Sequence, residues 1–210
     1  MEKIKKWYGV LMGSITEQNK AYASLFIIFA DLFKYPEKEN YNELLNGEID
    51  KQIEQLSRLA GHPIITSFKD EIGSYEEIVQ AFNDCFLGIT TPFAPPVESV
   101  YKVWTTDDSF QVPLKNQKGH LLGDSALHIR HIVQALGLEI PTEYEMMPDH
   151  LTILLELYSY LNQEGLISEA EQFKKDHLDW LPDFYNSLIK IERNQPYSNI
   201  VLKLNEVLKQ

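Results

Sequence analysis

Pro95-Pro96-Val97-Glu98-Ser99-Val100-Tyr101 lies inside a stretch, Gly88 to Pro113, where neither a helical nor a strand period is sustained. Pro92, Pro95, Pro96 and Pro113 exclude a continuous helix there, because proline lacks the amide donor and its ring clashes with the preceding turn. On either side the chain patterns as helix. The interruption therefore decides the architecture: an all-α protein, one compact multi-helix domain over 1–210. Its N-terminal half (about 1–88) and C-terminal half (about 114–210) are joined by a long proline-rich loop, 89–113. A loop of more than roughly 15 residues in a compact domain usually has a task. This one also holds Phe93, Tyr101, Trp104 and Phe110, too apolar for a merely solvated connection.

Working outward, helix signals recur. Ser14-x-x-Glu17, Ser74-x-x-Glu77 and Ser168-x-x-Glu171 have capping-box spacing ahead of apolar-periodic runs. From Ile15 to Tyr35, Tyr22, Leu25, Phe26, Phe29 and Phe33 share one face, and Ile27, Ile28 and Leu32 cover much of the rest. That pattern predicts a central, mostly buried helix. Tyr41 to Ala60 predicts a more exposed helix with a break at Asn46-Gly47, and Leu121 to Leu136 another that ends at Gly137. After Pro148, Leu151, Leu154, Leu155, Tyr158 and Leu161 recur at helical spacing up to Gly165. Phe173 to Trp180, Asp183 to Arg193 and Pro196 to Leu208 complete a helical C-terminal third.

The balance of charges is acidic, with a formal net charge of -12. That argues against nucleic acid and anionic membrane as partners, since both are held by Lys and Arg, and it suits a basic partner. One cysteine, Cys85, excludes an internal disulfide framework. No apolar run approaches the ~20 residues needed to span a bilayer. Met1-Glu2-Lys3-Ile4-Lys5-Lys6 resembles a signal n-region, but Trp7 to Ile15 is weakly apolar and no small-residue cleavage site follows, so a cytoplasmic protein is expected.

Catalytic signatures are absent: no Gly-rich phosphate loop, no Gly-x-Ser-x-Gly elbow, no His-Glu-x-x-His pair. Asp124, His128 and His131 fall at i, i+4 and i+7 of one predicted helix. That spacing can present ligands to a metal and defines the alternative reading, a small metal-assisted hydrolase using these three and His150. In Met147-Pro148-Asp149-His150-Leu151, proline in a first helical turn and an aspartate near the dipole's positive end make a good helix start. The Pro95–Tyr101 stretch offers an extended backbone, the Glu98 carboxylate and the Ser99 and Tyr101 hydroxyls among apolar residues. A carboxylate beside apolar surface fits a peptide with arginines followed by a hydrophobic run. Residue chemistry alone leaves open whether this stretch binds such a peptide or packs as a structural crossover.

Two of these stretches carry a family resemblance. Phe86-Leu87-Gly88, Pro92 and Pro95-Pro96-x-Glu98-Ser99-Val100-Tyr101 resemble one signature of the TorD/DmsD/NarJ family of redox-enzyme maturation chaperones. Pro148-Asp149-His150-Leu151, followed by Leu155-Glu156-Leu157, resembles a second. Phe173, His177, Leu178 and Trp180 give a weaker third echo, and Leu122-Gly123-Asp124-Ser125 and Gly137-Leu138 keep the family order. Val97 stands where the TorD/DmsD branch commonly has Trp, and Met147 where an acidic residue is frequent. The resemblance covers roughly Ile15 to Leu188. It implies a TorD-type helical fold and a cytoplasmic chaperone that is not an enzyme and needs no cofactor of its own. Its implied partner is a molybdenum-cofactor oxidoreductase apoenzyme, bound by its twin-arginine leader or equivalent N-terminus and held until its cofactor is inserted. Carried over by motif, the peptide-binding residues are Pro95, Pro96, Glu98, Ser99, Tyr101, Asp149 and His150.

Overall fold

The computed structural model describes residues 16–109 and 111–209, all-helical with no strand among them. The Ser14 cap, the Trp7 to Ile15 stretch and Phe110 lie outside the described residues. The helices are α1 (Glu17–Leu32), α2 (Lys38–Leu45), α3 (Glu48–Leu59), α4 (Phe68–Glu71), α5 (Tyr75–Phe86), α6 (Glu98–Tyr101), α7 (Asp124–Ala135), α8 (Leu151–Gln163), α9 (Ile167–His177), α10 (Leu181–Leu188) and α11 (Tyr197–Leu208), with a 3-10 turn at Thr142–Tyr144 before α8.

Local chemistry sets most boundaries. Thr16 caps α1 by accepting from the Asn19 amide at 3.1 Å. Ser74 and Glu77 form the expected reciprocal capping box at the start of α5. The expected break at Asn46-Gly47 separates α2 from α3, with Gly47 at φ 71°. Gly137 and Gly165, both at positive φ, follow α7 and α8. The Ser168-x-x-Glu171 box does not form. The helix begins at Ile167 behind Leu166, so Ser168 sits within its first turn, and α9 stops at His177 rather than Trp180.

α1 and α8 form the centre. Their long contact is close because small residues face it: Ala23 and Ala30 are fully buried, and the Ser159 and Thr152 hydroxyls donate to the carbonyls of Ala23 (2.9 Å) and Ala30 (3.2 Å). Each hydroxyl thus satisfies itself within the helix pair instead of remaining a buried unpaired donor. Aromatic rings extend the core from there. Tyr22, Phe26 and Tyr158 pack edge to face, and Phe33 leads through Phe86 to Phe184 and Tyr197. The buried apolar cluster runs from Ala21 to Leu208 and draws on both sides of the proline-rich loop.

The loop is not featureless. It contains α6 and lies against the start of α7, where the Trp104 carbonyl accepts from the Asp124 amide at 2.8 Å. Glycine at 123 is required there, because a Cβ at this position would stand 2.6 Å from the Trp104 carbonyl oxygen.

Candidate functional site

The two signature stretches meet. Val97 and His150 form an antiparallel bridge, flanked by hydrogen bonds from the Glu98 amide to the Asp149 carbonyl (3.1 Å) and from the Leu151 amide to the Pro96 carbonyl (2.8 Å). The Asp149 carboxylate then accepts from the Ser99 amide at 2.7 Å, joining residues 50 positions apart. This corrects the expected helix start. Asp149 serves the first turn of α6, not the helix that follows it, and α8 is capped by His150, whose Nδ1 accepts from the Thr152 amide at 3.2 Å. Pro148 likewise lies outside α8.

Beneath the junction runs a chain of polar groups. The Glu98 carboxylate accepts from His177 Nδ1 at 2.8 Å and from Lys102 Nζ at 2.9 Å. Lys102 also pairs with Asp179 at 2.6 Å. His177 Nε2 is 2.8 Å from His128 Nδ1, and His128 reaches the surface. The two imidazole rings thus share one hydrogen bond, which extends the chain from the buried Glu98 carboxylate towards the surface. Burial raises the Glu98 carboxyl above its ordinary range, against the opposing pull of His177 and Lys102. Burial also raises Asp149, opposed by its hydrogen bonds to Ser99. His150 is pushed down to about 4 by burial. Burial alone would lower Lys102, but its hydrogen bond to Asp179 and the Glu98 charge raise it. His128 is lowered by burial and by His177 beside it.

Of the peptide-binding residues expected from the motifs, Pro95 is half-buried, and Pro96, Glu98, Ser99, Tyr101, Asp149 and His150 are buried. Glu98, Ser99, Asp149 and His150 come together at the junction. Tyr101 turns away and stacks on Trp180, ring centroids 5.1 Å apart and planes 14° from parallel. Ser99 Oγ, Tyr101 Oη and Asp149 Oδ1 are buried with no hydrogen-bond partner among the described residues. His177 and Lys102 escaped the motif reading. Lys102 stands at i+4 from Glu98, a spacing that signals a helical ion pair. The signal for His177 was the third echo.

The metal reading of Asp124, His128 and His131 needs correcting. Asp124 is engaged with the Thr105 hydroxyl (2.9 Å) and the Thr106 amide (3.0 Å), while His128 faces His177. Among the described residues, no group of three or more His, Cys, Asp or Glu side chains is placed to hold a metal ion. No helix among them is long and apolar enough to cross a membrane.

Residues 42–190 match the family model described as nitrate reductase delta subunit. The chain is 30% identical over 128 residues to the Tat proofreading chaperone DmsD of Salmonella typhi, a match spanning 60% of this chain and 55% of that protein. It is 25% identical over 208 residues to a candidate Tat proofreading chaperone DmsD of Haemophilus influenzae, covering 97% of this chain and 87% of the relative. A crystal structure of a candidate redox enzyme maturation protein from Archaeoglobus fulgidus shares the fold. Its TM-score is 0.53 at 18% identity, over 94% of this chain and 99% of that one. With the family model spanning well over half of the sequence, and both signature stretches present and closed on one another, the chain belongs to the nitrate reductase delta subunit family, in the TorD/DmsD/NarJ group of redox-enzyme maturation chaperones.

Proposed function

We propose that this protein is a cytoplasmic maturation chaperone. It binds the twin-arginine leader, or equivalent N-terminus, of a molybdopterin oxidoreductase apoenzyme and holds it until the molybdenum cofactor has been inserted. The observation that carries this reading is the junction of the two signatures. There Asp149 accepts the Ser99 amide on one carboxylate oxygen, while the other, Oδ1, is buried with no well-formed hydrogen bond among the described residues. A buried acceptor left unpaired is costly, and a guanidinium supplies the donors in a planar fork. The names of the DmsD relatives support the same reading, as does the acidic balance of the chain, which favours encounter with a basic leader. Because Glu98 and Asp149 are fully buried, an arginine reaches them only when the Pro95–Tyr101 segment shifts from its bridge to His150. Binding is therefore coupled to a local opening. The chaperone role requires no catalytic group and no cofactor held by this chain.

Calorimetric titration with a synthetic twin-arginine leader, beside a twin-lysine control, tests the proposal. Tight, salt-sensitive binding that weakens with lysine is expected. Glu98→Gln and Asp149→Asn should each weaken it by about 1.5–3 kcal/mol, the scale of a charge-assisted contact, while helicity survives. Intact affinity in both variants would remove these carboxylates from recognition, and absence of binding to either peptide would sink the reading.

A further inference from the structure

The corner between α9 and α10 clasps one face of the α6 segment. Glu98, Tyr101 and Lys102 stand at i, i+3 and i+4, so their side chains leave that turn on the same side. His177 pairs with Glu98, Trp180 stacks on Tyr101, and Lys102 reaches the outer edge of the corner. There its ammonium meets three acceptors: Glu98 Oε1 at 2.9 Å, Asp179 Oδ1 at 2.6 Å and the Asp176 carbonyl at the end of α9. Carbonyls in a last helical turn lack intrahelical donors and carry the negative end of the dipole, so the position suits a cation. The two partners of Glu98 differ in access. The His177 side chain is 3% exposed, that of Lys102 25% and that of Asp179 55%. Lys102 therefore covers Glu98 from the solvent side, and its bonds to the corner are the ones most readily exchanged.

We infer that Lys102 is a built-in competitor for the leader's arginine. It holds the α6 segment shut against the α9–α10 corner and occupies the side of Glu98 that an incoming guanidinium needs. The inference rests on the leader-binding reading and names the residue that sets its strength. Shifting the Pro95–Tyr101 segment strips Lys102 from Asp179 and from the Asp176 carbonyl, so the closed and open states differ by those bonds. Peptide affinity is then reduced in proportion to the fraction of molecules held closed. An arginine displaces the ammonium because its planar fork engages a carboxylate with two donors at once.

The test is calorimetric titration of wild type, Lys102→Met and Lys102→Arg with the synthetic twin-arginine leader. Methionine keeps an unbranched stem and removes the charge, whereas arginine tightens the hold on Glu98 and Asp179. Lys102→Met should bind the peptide about tenfold more tightly, the gain expected if about a tenth of wild-type molecules are open. Lys102→Arg should bind it more weakly than wild type. Denaturant unfolding should show Lys102→Met to be the less stable protein, and lower stability with higher affinity is a combination that a merely structural lysine does not produce. Lys190→Met, which removes an exposed positive charge outside the α6 segment, should leave affinity unchanged. A folded Lys102→Met that binds no more tightly than wild type overturns the inference and leaves the leader reading intact. An equal gain in Lys190→Met also overturns it, because net charge then accounts for the effect. If Lys102→Met does not fold, Lys102→Arg decides, and binding as tight as wild type or tighter refutes the competition. Absence of binding by wild type and every variant overturns the leader reading, and the competition with it.

Discussion

Acidification should destabilise this protein through His150, and a single substitution should remove that contribution. His150 is 8% exposed and caps α8 through Nδ1, a bond that needs the lone pair and therefore the neutral ring. Its burial lowers the folded pKa from 6.5 to about 4. Between these values the unfolded chain binds the proton and the folded chain does not, so stability is full above pH 6.5 and falls as the pH drops towards 4. At 1.36 kcal/mol per pH unit, the loss is about 2 kcal/mol at pH 5 and about 3.4 kcal/mol once the pH is below 4. Glu98 and Asp149, both raised by burial, act in the opposite direction: they favour the folded state as the pH falls through their raised values. The difference between wild type and His150→Asn isolates the histidine, since asparagine offers a capping oxygen that does not titrate. Urea unfolding of both proteins at intervals from pH 7.5 to 4.5 measures it. Between neutral pH and pH 5, wild type should lose about 2 kcal/mol more stability than His150→Asn. Parallel curves across that range would refute both the capping role and the depressed pKa.

Two further outcomes follow from the fold. Asp50 receives the Phe68 and Lys69 amides on its two carboxylate oxygens and holds the start of α4; Asp50→Ala should cost about 1–3 kcal/mol of unfolding free energy for the stranded donors, read by denaturant titration. Leu154, fully buried near the start of α8, should cost about 2–5 kcal/mol as Leu154→Ala, and a loss under 1 kcal/mol would contradict its burial in the core.

Helices were legible because their apolar residues recur along the chain at the helical period, as in Phe26, Phe29 and Phe33, and because capping is local chemistry, as at Ser74 and Glu77. Locality also explains the misreadings. Pro148-Asp149 has the composition of a helix start, but the partner that claims Asp149 is the Ser99 amide, 50 residues away. Ser168 has capping-box spacing, yet the helix was already under way at Ile167. The pairing of Glu98 with His177 spans 79 positions, and no spacing rule announces it. The motif residues were found; their burial was not, because proline, serine and carboxylate in a loop give no sign that another loop will cover them.

The pairing of α1 with α8 also bears on how the chain is made. Ala23 must wait for Ser159, 136 residues later, before its principal neighbour exists. At ribosomal rates of about 5–20 residues per second, that delay is on the order of ten seconds. During it Phe26, Phe29 and Phe33 have no completed surface to pack on, and a large loop must close before their contacts repay the lost entropy. A protein proposed to guard an unfinished enzyme thus spends much of its own synthesis with its central helix lacking its principal partner, and that interval is where its nascent chain is most open to aggregation.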